Sequence, residues 1–226
     1  PVSQVIRGRC DDEVHFTEHG LRFVARPKDG QKTGFFLDQR EMRALIRTLS
    51  AERRVLNCFS YSGAFSVYAL AGGATEVSSI DIAGSACALA ENTIALNGFT
   101  APQSRVVEAD VFDFLRTLPR PAPYDLIILD PPAFAKRRDH VRKALRGYRD
   151  INRLALSLLP PRGLLLTCSC SYHLSKDLFE EAVFHAAGDV GRHVRVLDRH
   201  RIAADHAPSI FHRESEYLKS LLVQVD

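Results

Sequence analysis

The residues able to do chemistry in this sequence stand at the ends of apolar runs. Leu164-Leu165-Leu166-Thr167-Cys168-Ser169-Cys170-Ser171 puts a thiol, Cys170, at the carboxyl end of one such run. A thiolate there can add to an electron-poor carbon. On carbon 6 of cytosine or uracil that addition turns the inert carbon 5 into an enamine that can take a methyl group. Cys168 shares the strand face two residues deeper, and both thiols could instead be buried small hydrophobes. A second run, Asp125-Leu126-Ile127-Ile128-Leu129, ends in Asp130-Pro131-Pro132-Ala133-Phe134. Successive prolines fix an extended backbone and remove two N–H donors, so nearby carbonyls remain as rigid acceptors. Asp130 and the Pro131 carbonyl could then hold the amino edge of a flipped-out base, Pro132 would keep the turn rigid, and Phe134 could stack on the base. A plain turn closing a buried strand is the competing reading.

Three other run ends point to a cofactor. Asn57-Cys58-Phe59-Ser60-Tyr61-Ser62-Gly63 is a small polar loop opening a helix, where backbone can approach a ligand closely. It carries neither the G-x-x-x-x-G-K-[ST] of a P-loop nor the full G-x-G-x-x-G of a dinucleotide fold. Asp81, eighteen residues past Gly63, can accept ribose hydroxyls. Asp110, followed by Val111 and Phe112, can face an adenine. Each aspartate alone could be a helix cap. In this order they indicate a nucleoside cofactor without a pyrophosphate, S-adenosylmethionine (SAM), with S-adenosylhomocysteine (SAH) as its product.

These loops need a scaffold, and the sequence supplies one. From residue 54, β-branched runs alternate with amphipathic segments, the pattern of a parallel sheet covered by helices. Strands are expected at 54–59, 76–81, 104–108, 124–130, 163–169, 193–198 and 217–225. Helices are expected at 63–72, 84–97, 111–118, 140–159 and 175–188. The last strand follows its predecessor without a helix between and should insert antiparallel. Val14-His15-Phe16 and Leu21-Arg22-Phe23-Val24 around Glu18-His19-Gly20 give a hairpin signal. The expected fold is therefore α/β and Rossmann-like, a seven-stranded mostly parallel sheet over residues 37–226, preceded by a hairpin segment over 1–36.

Composition excludes other classes. With 226 residues, 46% hydrophobic and 25% charged, the chain can bury an ordinary core, and disorder or a fibrous repeat is excluded. Its apolar runs are too short to span a bilayer as helices, and its first residues have no signal-peptide core, so a cytoplasmic location is expected. Five irregularly spaced cysteines do not form a disulfide framework, and no second Cys/His pair with zinc spacing accompanies Cys168 and Cys170, so no metal is expected. Net charge is only +3, but Lys136, Arg137, Arg138, Arg142, Lys143, Arg146, Arg149 and Arg153 oppose only Asp139 and Asp150 in one stretch. Arg142, Lys143 and Arg146 would contact an RNA backbone, unless that face is merely solvated.

The ordered motifs resemble the RlmI-like class I SAM-dependent methyltransferases that act on carbon 5 of cytosine in large-subunit (23S) ribosomal RNA. The resemblance runs through Gly30-Gln31-Lys32-Thr33-Gly34-Phe35-Phe36-Leu37-Asp38-Gln39-Arg40, the Asn57–Gly63 loop and the Asp130 turn. It continues through Arg146-Gly147-Tyr148-Arg149-Asp150-Ile151-Asn152, Ser169-Cys170-Ser171 and Ala203-Ala204-Asp205-His206. It implies that Lys32, Thr33, Phe36, Asp38, Gln39 and Arg40 close over the cofactor and base. Asn57, Ser60, Tyr61, Ser62 and Gly63 would flank the methionine part, Asp81 the ribose, and Asp110, Val111 and Phe112 the adenine, with Asp130 at the boundary to the base. Cys170 is implied as the nucleophile. Family members carry a PUA-like RNA-binding domain in front, which residues 1–36 are too few to form. Other readings remain open at this point: methylation of an exocyclic amino group, which needs no thiol, a non-catalytic RNA-binding module, or, more distantly, a dinucleotide oxidoreductase. Oligomeric state, monomer or homodimer, is not legible.

Overall fold

The computed structural model describes residues 7–226 except 29, 31, 32, 136, 213 and 214. Lys32 and Lys136 therefore lie outside the described residues. A two-stranded antiparallel hairpin comes first, β1 (Val14–Glu18) and β2 (Leu21–Ala25). His19 and Gly20 turn it with φ of 49° and 79°, the pair of positive angles that a tight two-residue hairpin loop requires. Helix α1 (Arg40–Leu49) follows. Then strands and helices alternate: β3 (Arg54–Cys58), α2 (Ala64–Ala71), β4 (Glu76–Asp81), α3 (Gly84–Leu96), β5 (Ser104–Glu108), α4 (Val111–Thr117), β6 (Leu126–Leu129), α5 (Val141–Leu158), β7 (Leu164–Ser169), α6 (Lys176–Asp189), β8 (Val194–Arg199) and β9 (Lys219–Val225).

The seven-stranded sheet has the order β5-β4-β3-β6-β7-β9-β8. β9 inserts antiparallel between β7 and β8, as the missing crossover helix requires, and the other neighbouring pairs are parallel. The chain runs outward from β3 to β5 and returns to β6 beside β3. Ligand crevices form at such a reversal, beyond the carboxyl ends of the strands.

Period-2 alternation divides the core between the two faces. Ile127 and Leu129 pack with α4, α5 and α6 in one buried cluster, whereas Leu126 and Ile128 join the hairpin, α1 and α2 in the other. β6 and β7 are buried along their whole length, consistent with central strands covered on both sides. The hairpin is pinned to the second cluster by a buried ion pair. Arg43 donates to Glu18 Oε1 and Oε2 at 2.8 and 2.7 Å, Tyr68 donates to Glu18 at 2.9 Å, and the guanidinium lies 4.7 Å from the Phe35 ring.

Element boundaries fall within two residues of the sequence-based expectation. The exception is α1, a helix absent from that expectation. Met42, Leu45, Ile46 and Leu49 do carry helical spacing, and Met42 and Ile46 are fully buried. Arg43 obscures the pattern because it is a charged residue on the buried face, tolerated there through its ion pair with Glu18.

Candidate cofactor and nucleophile site

The loop after β3 holds three left-handed residues in five, Phe59 (φ 60°), Tyr61 (44°) and Gly63 (71°). For non-glycine residues this conformation costs on the order of 1 kcal/mol each, and such strain collects where a loop must present backbone to a ligand. Gly63 also has no room for a side chain: an added Cβ would stand 3.0 Å from Ala90 Cβ on α3. Asp81, at the end of β4, organises this loop. Its Oδ2 accepts from the Tyr61 N–H at 2.9 Å and its Oδ1 from the Ala83 N–H at 3.0 Å. A carboxylate has about four acceptor sites, so two remain for hydroxyls. Asn57 and Ser60 are buried; Asn57 Nδ2 donates to Ser66, while Asn57 Oδ1 and Ser60 Oγ have no partner among the described residues. Ser62 is buried beside them.

The described part of the 32–40 segment meets these strand ends at Tyr61 and Asp130. The Tyr61 hydroxyl donates to the Gly34 carbonyl at 3.4 Å, and the Phe36 and Tyr61 rings meet edge to face at 5.4 Å. Thr33 donates to the Phe35 carbonyl and stays exposed. Leu37–Gln39 form a 3-10 turn in which Asp38 accepts from Tyr217 and Gln39 Nε2 donates to Asp130 Oδ1 at 3.1 Å. Gln39 Oε1 is buried without a partner among the described residues. Arg40 holds Asp205 by two bonds of 2.9 and 2.8 Å, and that guanidinium keeps the Asp205 carboxyl well below the usual carboxylate range. Asp110 caps α4 through the Asp113 N–H, Val111 is buried, and Phe112 is half-buried beneath Arg116. The buried oxygens on Asn57 and Ser60 beside the strained loop, and on Gln39 at Asp130, which have no partner among the described residues, suit a ligand as polar as SAM.

On the other side of the reversal, Cys170 and the Asp130 turn come together because β6 and β7 are parallel neighbours and end side by side. Cys170 Sγ lies 3.8 Å from the Pro131 carbonyl oxygen and is half-buried. The serines on either side of it are clamped from α5: Ser169 Oγ donates to the Tyr148 hydroxyl at 2.9 Å, and Ser171 Oγ lies 3.0 Å from the same hydroxyl while accepting from the Ala135 N–H. Cys168 is fully buried with Leu164 and Leu166, and burial pushes its thiol well up. It is thereby the weaker candidate for a thiolate. Pro131 is buried and Pro132 exposed. Phe134 is half-buried in an aromatic cluster, 4.7 Å from the Tyr148 ring and 6.3 Å from Phe112, over Gly147.

The basic segment divides in two. Arg149 pairs with Asp189 on α6 and Arg153 with Asp150. Arg142, Lys143 and Arg146 are exposed and make no ion pair among the described residues. Sequence reasoning missed Lys219, whose ammonium lies buried behind Cys170, and Tyr217, the partner of Asp38. The available signal for the first was a lysine inside a strand otherwise reading Leu218 to Val225. Among the described residues no group of three or more His, Cys, Asp or Glu is placed to hold a metal, and no helix is long and apolar enough to cross a membrane.

Comparison with known proteins covers most of the chain. A ribosomal RNA large subunit methyltransferase of Deinococcus radiodurans is 48% identical over 225 residues, 99% of this chain and 55% of its own length. The ribosomal RNA large subunit methyltransferase I of Serratia proteamaculans is 45% identical, over 92% of this chain and 53% of its own. The chain thus spans about half the length of these curated relatives. A crystal structure of a protein assigned to the methyltransferases, complexed with SAH, superposes with a TM-score of 0.85 at 29% identity, covering 98% of this chain and 58% of that one. The model of the S-adenosylmethionine-dependent methyltransferases matches residues 3–209. Because that match runs unbroken through the hairpin, α1, the Gly63 loop and both the Asp130 and Cys170 turns, the chain belongs to the S-adenosylmethionine-dependent methyltransferase family.

Proposed function

We propose that this chain methylates carbon 5 of a cytidine in large-subunit ribosomal RNA, with Cys170 as the covalent nucleophile. The observation that carries the reading is the placement of Cys170 Sγ 3.8 Å from the Pro131 carbonyl, beside the Asp130 side chain that Gln39 holds. The names of the relatives, ribosomal RNA large subunit methyltransferases, support the substrate.

The SAM cofactor, when bound, would supply an electrophilic methyl group on its sulfonium sulfur, which keeps the electron pair of the broken carbon–sulfur bond and leaves as SAH. Asn57, Ser60 to Gly63 and Asp81 would hold it, with the Phe36–Arg40 segment closing over it. Asp130 and the Pro131 carbonyl would take the amino edge of the cytosine. The Cys170 thiolate adds to carbon 6, and the ring's 5,6 double bond becomes the electron pair with which carbon 5 accepts the methyl group. A base then removes the carbon-5 proton, and the electrons of that C–H bond restore the double bond as the carbon–sulfur bond breaks. Cys170 leaves as thiolate, ready for another cycle. Cys168 is fully buried and its thiol is raised by that burial, so it is the weaker nucleophile of the two.

Undermodified large-subunit RNA incubated with SAM and the protein should yield 5-methylcytidine on nucleoside mass spectrometry. Methylation at a nitrogen would contradict the reading, because that chemistry has no use for a thiol.

A further inference from the structure

We infer that Lys219 is a positioning residue for Cys170: a buried cation that fixes the turn following the thiol and offers its charge to the thiolate. The inference rests on the reading of Cys170 as the nucleophile.

Lys219 opens β9, directly opposite Ser169 on β7, so its backbone lies one residue from Cys170 across the ladder. Its side chain is 4% exposed. The ammonium donates to the carbonyls of Ser171 and Leu174, both at 2.8 Å. These two bonds tie down the turn that leads away from Cys170. Among the described residues no carboxylate pairs with Lys219. A cation buried without a counter-ion is costly and is retained where its charge has a use. Burial pushes Lys219 down to about 8, and a Cys170 thiolate acts in the opposite direction. Such coupling is reciprocal, so a protonated Lys219 favours the thiolate.

Among the described residues, the other groups facing this corner do not supply that charge. Asp130 from the β6 turn and Asp38 from the 3-10 turn oppose a thiolate. Tyr148 from α5 is held neutral by burial. His200, after β8, is pushed down by burial, and Lys176 at the start of α6 bonds to Glu216 at the surface. Lys219 is the buried cation among them.

The test reads the thiol itself, independently of RNA turnover. Alkylation of Cys170 by iodoacetamide, followed by mass spectrometry across pH, should show a midpoint at least one unit higher in Lys219→Met than in the wild type. At pH 7 this means about ten-fold slower modification. Lys219→Arg should restore most of the rate, and SAM affinity should stay within a few-fold in both variants. An unchanged alkylation profile in a folded Lys219→Met protein overturns the inference. If that variant does not fold, the 13C-ε signal of Lys219 in otherwise intact protein decides. Its titration should move to lower pH in Cys170→Ala, and an unmoved titration would overturn the coupling. An RNA assay that finds no 5-methylcytidine would instead bring down the nucleophile reading, leaving the thiol–lysine coupling measurable.

Discussion

At the scale of single residues, the account turns on charges taken out of water. Lys219 stays buried with two carbonyls for partners among the described residues, and its proton affinity drops to about 8 from 10.5. Between those values the unfolded chain holds a proton that the folded chain has released, so stability rises with pH. Wild-type protein should therefore gain up to about 3 kcal/mol relative to Lys219→Met between pH 8 and pH 10.5, read from urea unfolding at several pH values. A gap that stays constant over that range would mean the ammonium is better solvated than its burial indicates. The Cys170 and Asp130 pairing was legible in the sequence because both end apolar runs, and parallel strands bring their ends to one side of a sheet. Lys219 was not legible. Its role depends on β9 inserting next to β7 in one register, and nothing local in Tyr217-Leu218-Lys219-Ser220 specifies which backbone carbonyls the ammonium meets.

At the scale of elements, the hairpin and α1 hold the segment that crosses the cofactor loop. Arg43 is the link: besides Glu18, it donates to the Phe36 carbonyl at 2.7 Å, next to the 3-10 turn that carries Asp38 and Gln39. Removing one partner of a buried ion pair leaves the other charge uncompensated. Arg43→Met should lower the unfolding free energy by about 3–5 kcal/mol. It should also weaken SAM binding, because Phe36 loses its anchor against Tyr61; urea denaturation and calorimetric titration check the two effects. A loss under about 1 kcal/mol would show that the pair is dispensable. The alternating strands and helices after residue 54 were readable from periodicity, since each carries its own hydrophobic signal. Helix α1 was not, because the residue that explains its buried face is Glu18, at the end of β1 and far away in sequence. The polar segment before it likewise has no periodicity of its own and takes its shape from the Gly63 loop beneath.

At the scale of the whole molecule, the sheet reversal sets the Gly63 loop and the thiol on the same edge, and α5 carries at its amino-terminal end positive charge that makes no ion pair among the described residues. Arg142, Lys143 and Arg146 are exposed, whereas Arg149 and Arg153 are spent on ion pairs. Reversing the first three to Glu should weaken RNA binding and flatten its dependence on salt by about 0.7–0.9 for each phosphate no longer neutralised, while SAM affinity is unchanged. Unaltered RNA affinity would place the RNA path elsewhere. The sequence located this basic stretch but could not divide it, because pairing with α6 is a tertiary interaction. The central claim remains that Cys170 is the nucleophile of a carbon-5 methylation, and one measurement addresses it most directly. Nucleosides from undermodified large-subunit RNA, incubated with SAM and either the wild-type or the Cys170→Ala protein, are to be separated by mass spectrometry. The account predicts 5-methylcytidine with the wild type and none with the variant, although the variant still binds SAM; equal 5-methylcytidine from both proteins would contradict it.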